Sequence, residues 1–266
     1  MTQPPGSPLR YELKARTVSE LLDGTFKLYR DHFAPLLAIA AIGAVPTLLF
    51  TGFVDSFVTA AKAGSAEAAM GPFLGLVLTL PVILIVATVQ YCALTSASID
   101  AYLGRPFTVG GALRHALSLF FSLLWAGFLF YLGVTVGFVL LIVPGLYLTL
   151  IWAVWLQALV AEDKRGTAAL GRSRALTKGA TGQLGWLVLV FVLLQTAVVY
   201  GFHAAMPSAL ENIPFLGAAI GEIPSVLIAP VYPALLTLFY FDARIRHEGF
   251  DLELKASEGL PASALP

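Results

Sequence analysis

The sequence predicts an all-α, polytopic membrane protein of about six transmembrane helices, with amphipathic surface helices on the cytoplasmic side. Three observations predict it. The 266 residues are 58% hydrophobic and 12% charged, where a soluble domain carries roughly 25% charged residues to cover its surface. The charges are clustered, and the stretches between them reach the roughly 20 residues that a helix needs to cross the hydrocarbon core. The basic residues fall on alternate sides of those stretches. A net charge of zero gives no reason to expect nucleic-acid binding. Cys92 is the one cysteine, so neither an intrachain disulfide nor a cysteine-rich metal site is available. The polar segment 1–16 lacks the apolar run of a signal peptide, so the first apolar segment is expected to stay in the mature protein.

The first span is read as Phe33–Val54, between Asp31 and Asp55, and the second as Pro72–Ile99, between Glu67 and Asp100. From His115 to Glu162 a single helix would run about 69 Å, so this stretch is a hairpin turning between Gly133 and Pro144-Gly145. The fifth span is Gly185–Ala205 and the sixth Ile223–Phe241. All are helices, because lipid satisfies no open backbone group. Arg10, Lys14, Arg16, Lys27 and Arg30 precede span one, and Arg105 and Arg114 follow span two. Lys164, Arg165, Arg172, Arg174 and Lys178 follow span four, and Arg244, Arg246 and Lys255 follow span six. Only Lys62 lies in an odd-numbered loop, which places both termini in the cytoplasm. The Ala- and Leu-rich composition fits a bacterial inner membrane.

Each pair of spans is preceded by an amphipathic segment. The first opens on a Thr17–Glu20 capping box and sets Val18, Leu21, Leu22, Phe26, Tyr29 and Phe33 on one face. The second opens at Thr108, and a weaker third covers Thr167 to Thr177. Basic-faced helices of this kind suit a membrane surface. The organisation read from this is a polar tail over 1–16, a six-helix membrane domain over 17–252 and a flexible tail over 253–266. The domain is either a threefold repeat of surface helix plus hairpin, or three unrelated helices that enter the membrane at its basic side.

Three blocks carry a family resemblance. They are Glu20-Leu-Leu-Asp-Gly-Thr-Phe-Lys-Leu-Tyr-Arg30, Glu162 with Ala169-Leu-Gly-Arg-Ser-Arg174 and Lys178-Gly179, and Tyr240-Phe-Asp-Ala-Arg-Ile-Arg-His-Glu-Gly-Phe-Asp-Leu252. Together they resemble the membrane-domain family named after glycerophosphoryl diester phosphodiesterases, over roughly residues 17–252. In some relatives that module is joined to a separate catalytic barrel. No soluble stretch here is long enough to be that barrel, so the resemblance implies a stand-alone membrane module and no phosphodiesterase activity.

Enzymatic and metal chemistry find little to work with. His32, His115 and His247 sit beside basic residues, His203 lies near the opposite surface, and no HExxH pair exists. The sequence has no paired-glutamate protease motif and no Ser-Gly-His of lipid phosphatases, although Arg105-Pro106 resembles one of their blocks. Asp23-Gly24 lacks the further aspartates of a phosphatidyl-transferase. The expectation is a non-enzymatic protein without cofactor or metal.

Glu222 precedes Pro224, Pro230 and Pro233, so the sixth span is expected to be kinked or broken. Its carboxylate is either a proton or cation site or an outer-interface residue that ends a re-entrant stretch, Ile213–Gly221. Gln90, Gln157 and Gln195 either line a cavity or hydrogen-bond helices together. Trp125, Trp152, Trp155 and Trp186 read as packing and interfacial anchors. Arg172, Arg174 and Lys178, with Glu162 at the head of the same segment, either meet anionic lipid headgroups or are ordinary topology charges. Asp242, Arg244, Arg246 and Glu248 are expected to form ion pairs, with Glu162 or Arg172 as further partners. The leading function is a module that organises or supports membrane components, with membrane lipids or another membrane protein as partner. The alternative is a small transporter that uses Glu222 and the buried glutamines.

Overall fold

The computed structural model describes residues 16–207 and 216–250. Arg10, Lys14, Lys255, the 253–266 tail and residues 213–215 of the expected re-entrant stretch lie outside these. The described residues form helices and no strands, and six helical segments are long and apolar enough to cross a membrane.

Helix α1 (Val18–Asp31) begins where the sequence places it. Thr17 Oγ1 accepts from the Glu20 backbone N–H, and Glu20 accepts from the Thr17 N–H. Span one is α2 (Phe33–Ile42) plus α3 (Ala44–Lys62), and span two is α4 (Ala66–Tyr102). Both run past the expected bounds at Val54 and Pro72, because a helix continues beyond the hydrocarbon core until something stops it. Here Gly64, at φ +70°, makes the turn. Helix α5 (Val109–Ser118) is capped by Thr108. Spans three and four are α6 (Phe120–Leu140), and α7 (Ile142–Ile151) plus α8 (Trp155–Glu162), turning at Leu141. Then come α9 (Thr167–Thr177) and α10 (Thr181–Ala205). Span six is α11 (Leu216–Ile228) plus α12 (Val231–Glu248). From Leu216 the expected re-entrant stretch is the regular start of α11, continuous through Glu222.

The core lies at the end of the bundle that carries most of the basic residues, called the basic end below. There the last third of α4 packs against α8 and α12, and α8 also touches α12. Ala93, Thr95, Ser96, Ala97, Ser98 and Ala101 of α4 are all buried. Between membrane helices hydrophobicity supplies little attraction, so such small side chains stabilise by letting helices approach closely. Tyr102 stacks on Phe241, with ring centroids 4.7 Å apart.

The amphipathic helices pack part of their apolar faces against this core, while Phe26 of α1 and Leu117 of α5 stay exposed. Leu21 and Leu28 of α1 are fully buried. Helix α5 lies along α4, α9 along α8 and α1 along α12, so each covers the second span of a hairpin. At the other end the spans diverge, and Leu78, Val139, Leu140, Val143 and Tyr200 are exposed.

Candidate functional site: sealed helix breaks and a charge lock at the basic end

Three spans are interrupted inside the bundle, and near each interruption a side chain from another helix donates to a backbone carbonyl. An open backbone group at membrane depth costs several kcal/mol, so these contacts stabilise the breaks. In span one, Pro46 has no N–H to offer the Ile42 carbonyl, and Gln90 Nε2 donates to the nearby Ala40 carbonyl at 2.7 Å. Gly43 makes room for that amide, since a Cβ there would lie 2.0 Å from Gln90 Oε1. In span four the chain leaves the helix at Trp152–Val154, without a proline. Ser173 Oγ donates to the Ile151 carbonyl at 3.0 Å and accepts from the Val154 N–H at 3.1 Å. Thr177 Oγ1 lies 3.1 Å from the same carbonyl. In span six the break falls at Ala229–Pro230, and the Tyr29 hydroxyl donates to the Leu227 carbonyl at 2.7 Å.

The charged candidates of the sequence converge next to the second of these breaks. Arg172 Nε lies 2.8 Å from both oxygens of Glu162, and its Nη2 donates to Glu248 at 2.7 Å, with Nη1 on the other oxygen of Glu248. The Tyr240 hydroxyl donates to Glu162. Arg244 donates to Glu248 at 3.2 Å, lies 3.8 Å from Glu162 and sits 4.0 Å over the Phe250 ring. Three helices, α8, α9 and α12, are thereby tied by one partly buried network. Glu248 and then Glu162 push the Arg172 pKa above the usual arginine range, against the opposing effect of burial. The guanidinium is therefore a permanent strut.

A second clasp closes the bundle on itself. Asp242, 2% exposed, accepts from the Arg16 backbone N–H and from Arg246 Nε at 2.8 Å. Arg246 and Gln183 both donate to the Arg16 carbonyl, the latter at 3.3 Å. The chain leading into α1 is thus held by the last helix.

The remaining candidates scatter. Arg174 and Lys178 are exposed, with no ion pair among the described residues. Gln157 is fully buried in α8, and neither polar atom of its amide has a partner among the described residues. Gln195 neither lines a described cavity nor bonds another helix. It is exposed because α10 diverges from the bundle beyond Phe191. Glu222 is half-buried, and the His203 ring packs on its neighbour Gly221. Twenty residues of helix separate Glu222 from Asp242, about 30 Å of rise. Glu222 therefore lies toward the opposite end of span six from the Asp242 clasp.

No family model, curated protein or solved structure matches this chain. Function must therefore be argued from the geometry. An apolar cavity of about 460 Å³ opens between α4, α6 and α8. Two smaller ones lie at the basic end, of about 370 and 280 Å³. Glu222 and the three glutamines line none of the three. Sequence reasoning missed Ser173, Tyr29 and Gln183. Their partners lie 22, 198 and 167 residues away, and a lone Ser, Tyr or Gln carries no local signal of such a role.

Proposed function

We propose that this protein is a non-enzymatic membrane module of a bacterial inner membrane, with its basic end in the cytoplasm, that gathers anionic lipid around a closed helical bundle. One observation carries the reading. The internal cations are consumed by the lock, whereas Arg30, Arg105, Arg114, Arg174 and Lys178 remain exposed around the same rim. Each basic residue near an anionic surface contributes about 1 kcal/mol of attraction. Exposed Phe26, Leu117 and Phe121 on the same rim supply apolar anchorage beside those charges. The positive-inside distribution supports the orientation, and the membrane-domain resemblance fits a module without chemistry of its own.

A transporter reading draws on the broken spans and on the unpartnered Gln157. Against it stand the sealed breaks and the absence of Glu222 and the glutamines from the described cavities. Native mass spectrometry of the protein, released from nanodiscs made of its own membranes, separates the two. Retained anionic phospholipid, or a stoichiometric protein companion, supports the module. A retained small solute that disappears in Glu222→Gln overturns it in favour of transport.

A further inference from the structure

The three surface helices meet the bundle in a cyclic pattern. The junction between α1 and α2, at His32, faces the segment 104–107 that leads into α5, and His32 and Phe107 have ring centroids 5.6 Å apart. At the next junction, α6 faces the residue that leads into α9, where Trp125 lies against Gly166 so closely that a Cβ there would come within 3.0 Å of Cδ1. At the third, Gln183 of α10 reaches the Arg16 carbonyl ahead of α1, at 3.3 Å. At the second and third notches a side chain of the facing helix reaches across. The first is a cavity of about 370 Å³, lined by His32, Pro35, Gly104, Arg105, Pro106 and Phe107.

We infer that this cavity is a site for a phosphate group carried on an apolar body, which at this depth is a phospholipid headgroup. The inference rests on the anionic-lipid reading above and gives it a location. The volume is in the range of small-ligand sites, roughly 300–1,000 Å³. Arg105 supplies a planar, permanently charged fork that suits phosphate oxygens, and its side chain is exposed. The loop that carries it is fixed, because the Arg105 N–H donates to the Asp100 carbonyl at 2.8 Å. The His32 ring is held in place, with Nδ1 3.2 Å from the Leu28 carbonyl and its centroid 5.6 Å from that of Phe107. Pro35, Pro106 and Phe107 present apolar surface to the part of the lipid below the phosphate. Its cavity stands at the end where the other exposed cations gather, so an anionic lipid is drawn toward it before it binds.

The test uses full-length protein, delipidated in detergent and titrated by native mass spectrometry. Its probes are dioctanoyl phosphatidylglycerol, dioctanoyl phosphatidylcholine and inorganic phosphate. The wild type is expected to take up one phosphatidylglycerol ahead of any others. Arg105→Ala should weaken that first event about five- to tenfold, and Pro35→Trp, which fills the cavity without changing charge, should abolish it. Arg174→Ala should leave it unchanged. Uptake of inorganic phosphate that Arg105→Ala and Pro35→Trp also suppress would keep the phosphate site but make its source soluble. Equal losses in Arg105→Ala and Arg174→Ala, with none in Pro35→Trp, would overturn the site and leave the general lipid reading standing. No preference for phosphatidylglycerol over phosphatidylcholine in the wild type would overturn that reading itself.

Discussion

Ser173 offers the sharpest test of how the broken span is held. Replacement by Ala removes one oxygen and almost no volume, so packing is preserved. The Val154 N–H, which donates to Ser173 Oγ at 3.1 Å, is then left without a partner, and burial withholds water from it. The Ile151 carbonyl keeps Thr177 Oγ1 at 3.1 Å, although that hydroxyl has one proton and also lies 3.0 Å from the Ser173 carbonyl. Leaving a buried donor unsatisfied costs about 1–3 kcal/mol, while hydrogen bonds between membrane helices average about 0.6 kcal/mol. Ser173→Ala should therefore destabilise by about 2 kcal/mol and Thr177→Val by about 1 kcal/mol. The double variant should exceed their sum, because only then is the Ile151 carbonyl orphaned as well. Unfolding by titration with a denaturing detergent, followed by tryptophan fluorescence, reads this directly, since Trp152 opens the break and Trp155 follows it. A Ser173→Ala change under about 0.3 kcal/mol, or strict additivity in the double variant, would refute the sealing argument.

Other perturbations follow from the same geometry. Arg172→Ala leaves Glu162 and Glu248, both partly buried, to share Arg244 and should cost about 1–3 kcal/mol in the same unfolding titration; Arg172→Lys should recover little, since a single ammonium cannot span both carboxylates. Gly43→Ala should destabilise by displacing the Gln90 amide, and Gln90→Ala in the same chain should restore part of the loss by removing the clash. Gln157→Leu eliminates two buried polar atoms without partners, so it should raise stability by about 1–2 kcal/mol; a loss instead would mean that the amide is satisfied by a bound group. Glu222→Gln changes a half-buried group that belongs to neither the lock nor the clasp and should shift stability by less than about 0.5 kcal/mol, with the retained lipid profile unchanged.

Much of the fold was readable because the bilayer imposes it. The number and rough place of the helices follow from where charges are missing, and the Thr17–Glu20 and Thr108 starts follow from local capping chemistry. The ends of span one and span two were less readable, since nothing in the apolar count says how far a helix projects beyond lipid. The breaks divide in the same way. Pro230 announces the interruption of span six, whereas Trp152–Val154 contains neither proline nor glycine. Conversely, Pro72 and Pro81 lie inside an unbroken α4. At two of the breaks a distant hydroxyl donates to a nearby carbonyl, and only tertiary structure supplies Ser173 or Tyr29. At the charge lock, residue types showed that Arg172 and Glu162 had charges to satisfy. That Tyr240 joins them, and that Arg174 stays outside, depends on the rotational phase of α9 and α12.

The most direct measurement of the central claim is lipid selectivity at the rim. Spin-labelled phosphatidylglycerol and phosphatidylcholine, compared by electron paramagnetic resonance around the reconstituted protein at low salt, report which lipid the protein immobilises. The account predicts a larger immobilised fraction for the anionic lipid, reduced by raised salt and by combined neutralisation of Arg30, Arg105, Arg174 and Lys178. Equal fractions for the two lipids in the unaltered protein would contradict it.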